Sequence, residues 1–99
     1  MMVKTERIEI ENVLQPGKTY RVDAEKFAAM REAVLAELPG EQPGLTPAEL
    51  KARVVGRLPQ SLFPGGEKAG WWMKAVQLDL EAKRLIARGP TAPVRLHRL

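Results

Sequence analysis

The chain has 99 residues, 44% of them hydrophobic and 28% charged, with a net charge of +4 and no cysteine. This length suits one domain with a modest core, and without cysteine it holds no disulfide. No apolar run approaches the roughly 20 residues of a membrane span, and Met1-Met2-Val3-Lys4-Thr5-Glu6-Arg7 lacks the apolar centre of a secretory signal. A cytoplasmic location is the expectation.

The charge is placed unevenly. Residues 1–50 carry six Lys/Arg against nine Asp/Glu, whereas residues 51–99 carry ten against three. One reading is an anion-facing C-terminal half, with nucleic acid as the first candidate partner. The other is that the two halves neutralise each other on folding.

Residues 6–13 alternate, with Ile8 and Ile10 pointing one way and Arg7, Glu9 and Glu11 the other, as in a half-buried strand. Gln15-Pro16-Gly17-Lys18 is a turn signal: Pro presets the second position and Gly accepts positive φ at the third. Thr19–Val22 is a second β-prone run. The pair reads as a hairpin or as an extended arm, and an isolated hairpin needs a partner surface.

Asp23 is an N-cap, and Phe27, Met30, Val34 and Leu38 form one apolar stripe on a first helix that Pro39-Gly40 stops. Residues 41–44 continue as loop. Thr46, Pro47 and Glu49 are the cap, first-turn proline and capping-box acid of a second helix. Leu50, Val54 and Leu58 share its inner face, and Pro59 closes it. Leu62 and Phe63 are expected to plug the core before Pro64-Gly65-Gly66. A third helix begins between Gly66 and Gly70 and ends near Lys83-Arg84. It carries two apolar stripes: Trp71, Ala75, Leu78, Ala82 and Leu85, and Met73, Val76 and Leu80. A surface helix needs only one, so this helix is buried on two sides or used in an interface. Residues 85–88 and 94–98 read as two strands around a Gly89–Pro93 loop. There is no internal repeat.

Three helices followed by a two-stranded hairpin resemble a winged helix-turn-helix. Leu80-Glu81-Ala82-Lys83-Arg84-Leu85-Ile86 is similar to the Leu-Glu-x-x-Gly-Leu-Ile segment that ends the recognition helix of many bacterial winged-helix regulators. Glu11-Asn12-Val13 with Pro16-Gly17, Leu62 to Gly66, Gly70-Trp71-Trp72, Val76 to Ala82, and Arg95 to Leu99 resemble a small bacterial family of uncharacterised single-domain winged-helix proteins. The resemblance implies an α+β winged helix-turn-helix fold over residues 23–99 with an N-terminal extended or β-hairpin arm over residues 1–22. Two departures stand out. Arg84 occupies the usual glycine position, so the helix end differs or is strained. The Pro59–Gly66 link is also longer than a tight helix-turn-helix allows.

Catalysis finds little support. His97 is the sole histidine and, between Arg95 and Arg98, reads as part of a solvated basic strand. One His and no Cys argue against zinc, and Glu6, Glu9 and Glu11 read as a solvated face rather than a Mg²⁺ site. Gly65-Gly66 lacks the Gly-Lys-Ser/Thr ending of a P-loop. No enzyme activity and no cofactor are expected.

The leading expectation is a DNA-binding regulator, with the third helix in the major groove and a basic wing on the backbone of double-stranded DNA. Lys68 and Lys74 sit on the helix's first half, and Gln77 reads an adenine edge if it faces outward. Arg88, Arg95 and Arg98 lie on the wing, and Lys51 and Arg53 on the preceding helix, within reach of phosphates. Asp79, Glu81 and the Trp71–Ala75–Leu78 stripe argue against that surface. The alternative is a protein-interaction module or homodimer anchored by Trp71, Trp72 and Leu78. A third reading leaves one tryptophan in the core and the other half-buried under the arm.

Overall fold

A computed structural model of the chain describes residues 6–99. Met1–Thr5, which hold most of the stretch read against a secretory signal and the start of the expected arm, lie outside the described residues. The fold is α+β, with three helices and two β-hairpins in a winged helix-turn-helix-like order.

The N-terminal segment is a hairpin. Strand β1 (Arg7–Glu11) runs antiparallel to β2 (Thr19–Asp23), with Ile8 opposite Val22 and Ile10 opposite Tyr20. These four side chains therefore share one face, and the charged residues alternate onto the other. The turn forms where its chemistry predicts: the Lys18 amide donates to the Gln15 carbonyl at 3.1 Å, and Gly17 has φ of 85°. Those are the bond and the positive φ of a type II turn with proline at its second position.

Helix α1 spans Ala24–Glu37, and its cap is Asp23, whose carboxylate accepts from the Lys26 amide at 3.0 Å. Phe27, Met30 and Val34 are buried along it, and Leu38 is buried just past its end. Helix α2 spans Pro47–Val55 with the full capping box: Thr46 Oγ1 accepts from the Glu49 amide at 3.2 Å, and Glu49 Oε1 accepts from the Thr46 amide at 2.9 Å. It stops before Pro59, earlier than expected. Leu58 still reaches the core because the chain leaves the helix as a turn, with the Arg57 amide on the Val54 carbonyl at 2.9 Å. Within the long link, Phe63 is fully buried and Leu62 packs beside it, before a short 3₁₀ turn at Pro64–Gly66.

Helix α3 (Ala69–Ala82) ends in a Schellman motif. The Leu85 amide donates to the Leu80 carbonyl at 2.9 Å and the Arg84 amide to that of Glu81 at 3.1 Å. Those are the two bonds that close a helix over a left-handed residue. That residue is Arg84, with φ of 59°. The helix end is thus the usual one, carrying the strain of a side chain where glycine is favoured.

The C-terminal hairpin pairs β3 (Ile86–Arg88) with β4 (Leu96–Arg98). A single residue of the α1–α2 link extends it. Leu45 bridges Leu96, amide to carbonyl in both directions at 2.9 and 2.7 Å. The link comes this close only because Gly44 precedes the bridge. A Cβ there would stand 2.1 Å from the Leu96 carbonyl oxygen, and its φ is 79°. Arg98 adds two bonds to the end of α1: its amide donates to the Pro39 carbonyl and its Nε to that of Leu38, both at 2.8 Å.

Candidate functional site

Helix α3 is central, and its two stripes have different partners. Met73, Val76 and Leu80 are buried against the rest of the core. Trp72 joins them, meeting Phe63 edge-on at 6.4 Å between ring centroids. On the outer side lies the N-terminal hairpin. Its apolar face is the surface that the Trp71–Ala75–Leu78 stripe meets, so the helix is buried on two sides. Ile10 and Val22 are buried there.

Two backbone contacts fix the hairpin in place. The Val13 amide donates to the Leu78 carbonyl at 3.3 Å, and the Glu11 amide donates to Asp79 Oδ1 at 2.8 Å. Asp79 is only 1% exposed, and the same Oδ1 accepts from Lys83 Nζ at 2.5 Å. A buried carboxylate is tolerated when it is paired in this way, although Oδ2 has no partner among the described residues. Burying Ile10 and Val22 is worth about 1.5–3 kcal/mol each. The hairpin is therefore an integral cover of α3 rather than a loose arm.

The cover is incomplete. A groove of about 330 Å³ remains between hairpin and helix. Its apolar lining comes from Ile10, Tyr20 and Val22 on one side and Trp71, Ala75 and Leu78 on the other. Glu11, Arg21 and Lys74 also border it. Trp71 stands at its edge 57% exposed, edge-on to Trp72 at 5.0 Å. Of the residues proposed as interface anchors, then, Trp71 is open to solvent, while Trp72 and Leu78 are inside. Tyr20, 40% exposed, was not singled out from the sequence. The signal was there, because the Ile8, Ile10, Tyr20 and Val22 alternation required a partner surface.

The residues expected on DNA fall into three groups. Lys51, Arg53, Lys68 and Lys74 are exposed, and no ion pair holds them among the described residues. The wing cations are engaged. Arg88 grips Glu81 with both Nε (2.5 Å) and Nη2 (3.2 Å), and that carboxylate holds its guanidinium above the ordinary arginine value. Arg95 lies 3.4 Å from Glu49, and Arg98 caps α1 as described. Gln77 does not face outward. It is 1% exposed and donates through Nε2 to Glu81 at 3.2 Å. Lys74, Arg88 and Arg95 thus lie at three separate places: beside the groove, at the end of α3, and at the start of α2.

His97 also differs from expectation. It is buried, 7% exposed, opposite Ala87 and next to the equally buried Leu96. Among the described residues no group of three or more His, Asp or Glu is placed to hold a metal ion, and no helix is long and apolar enough to cross a membrane.

The chain belongs to DUF6958, a family of unknown function, which it matches over residues 7–96. Neither the curated proteins nor the solved structures gave a match.

Proposed function

We propose that this protein is a non-enzymatic protein-interaction module, built on a winged-helix frame and using the groove between the N-terminal hairpin and α3. One observation carries the reading. The outer face of α3, which a winged-helix DNA reader would lay in the major groove, lies under β1–β2, and what remains open is an apolar groove edged by Trp71. Tryptophan is among the residues that most often carry the binding energy of protein interfaces. Residues 6–99 act together in this reading, since the hairpin forms one wall of the site.

A second reading, a DNA-binding transcriptional regulator, is favoured by Lys51, Arg53, Lys68 and Lys74, which are exposed and hold no ion pair among the described residues. In that case the contacts go to phosphates, because Gln77 is inside and the wing arginines are engaged. Such contacts position a protein without specifying sequence.

Selection from a random duplex pool separates the two. The interaction reading predicts no enriched sequence, and duplex binding that disappears between ~50 and ~200 mM salt. An enriched sequence bound at the higher salt would establish the DNA reading instead.

A further inference from the structure

We infer that the occupant of the hairpin–α3 groove is an acidic segment of a partner protein with one bulky apolar anchor. The inference rests on the interaction reading above and adds the chemistry of the partner. The groove's floor is apolar, and its volume of about 330 Å³ suits a single large side chain rather than a whole helix. Lys74 borders it on the helix side. Lys51, although on α2, lies across the start of α3, with Nζ 3.3 Å from where a Cβ on Gly70 would stand. Lys68 precedes the helix, and no side chain caps that helix start. None of these three cations has an ion pair among the described residues.

Among the described residues the one acidic residue bordering the groove is Glu11, whose amide is tied to Asp79 near the far end of α3. The groove is therefore polarised, with cations and the positive end of the helix dipole beside Trp71 and an acid beyond Leu78. A segment whose anchor enters beside Trp71, with Asp or Glu flanking it toward Lys51 and Lys68, meets both features. Charge complementarity of this kind favours acidic partners and repels basic ones.

The test is to pan a random peptide library on the full chain and measure the selected peptides by fluorescence anisotropy. Peptides carrying a large apolar residue beside Asp or Glu are expected, with affinity falling as salt rises. Trp71→Ala should weaken them about 30-fold, as loss of an anchor does, and the double variant Lys68→Glu/Lys74→Glu about 10-fold or more. Thermal melts check that both variants fold, and if Trp71→Ala does not, the charge variant probes the same groove. Peptides that require Trp71 but are neutral or basic overturn the acidic partner and leave the interaction reading standing. Absence of any peptide sensitive to either variant overturns the acidic partner, and sequence-specific binding of duplex DNA in its place overturns the interaction reading as well.

Discussion

Two hairpins flank α3, and each is tied to it by one carboxylate, but the ties differ in kind. Asp79 is buried and holds the N-terminal hairpin through a backbone amide, which any residue at position 11 except proline would supply. Glu81 holds the C-terminal hairpin through the side chain of Arg88, a particular residue with part of its surface in water. The first tie fixes a surface over the helix. The second removes a cation from the wing. Asp79 and Glu81 do not act as charges facing a partner: between them they cover the helix on one side and neutralise the wing on the other. The part of α3 left exposed is its start, with Lys68, Trp71 and Lys74.

The contrast between the two hairpins can be broken most severely at Gly44. The Leu45–Leu96 bridge joins the wing to the α1–α2 link, and Gly44→Ala would drive a Cβ onto the Leu96 carbonyl from a left-handed backbone. A loss of about 3 kcal/mol is expected in denaturant melts. Next is Asp79→Ala, which leaves the Glu11 amide without its acceptor, at about 2 kcal/mol. Arg88→Ala should cost less, about 1 kcal/mol, since it removes a partly exposed ion pair while Glu81 keeps its hydrogen bond with the buried Gln77. Equal losses at positions 79 and 88 would contradict the distinction between the two ties.

Arg84→Gly runs the other way. It relieves the left-handed arginine while keeping the Schellman bonds, and a gain of about 1 kcal/mol in the same melts is expected. The smallest effect is on acid stability. The hydrogen bond with the Thr46 backbone, followed by that with its side chain, lowers the Glu49 carboxyl below its ordinary 4.5. A depressed carboxylate adds stability above its unfolded value and loses it as pH falls through the folded one. Glu49→Gln should therefore flatten the stability profile slightly below about pH 4.5 and leave its neutral limb unchanged in slope.

Much of this architecture is legible in the sequence because its determinants are local. Asp23, the Thr46–Glu49 box and the Pro16-Gly17 turn act within a few residues, and the α1 stripe repeats at helical spacing. The double stripe of α3 leaves burial on two sides or an interface open, and the hairpin covers the second stripe in part. What escapes is long-range or runs against residue type. Arg95 meets Glu49 and Arg98 meets Leu38 across 46 and 60 residues of sequence. The Leu45 bridge is one residue long and leaves no periodicity. Gln77, Asp79 and His97 are polar but buried, and reading polar residues as solvent-facing made Gln77 a base reader and His97 a solvated wing residue.

Whether the hairpin is a permanent cover of α3 is tested most directly by hydrogen exchange at the Glu11 and Val13 amides. Both donate to α3, one to Asp79 and one to the Leu78 carbonyl, so both should exchange only with global unfolding, at the same free energy as the core of α3. Exchange of these two amides at the rate of the 89–95 loop, while α3 stays protected, would mean that the hairpin lifts off and frees the helix face.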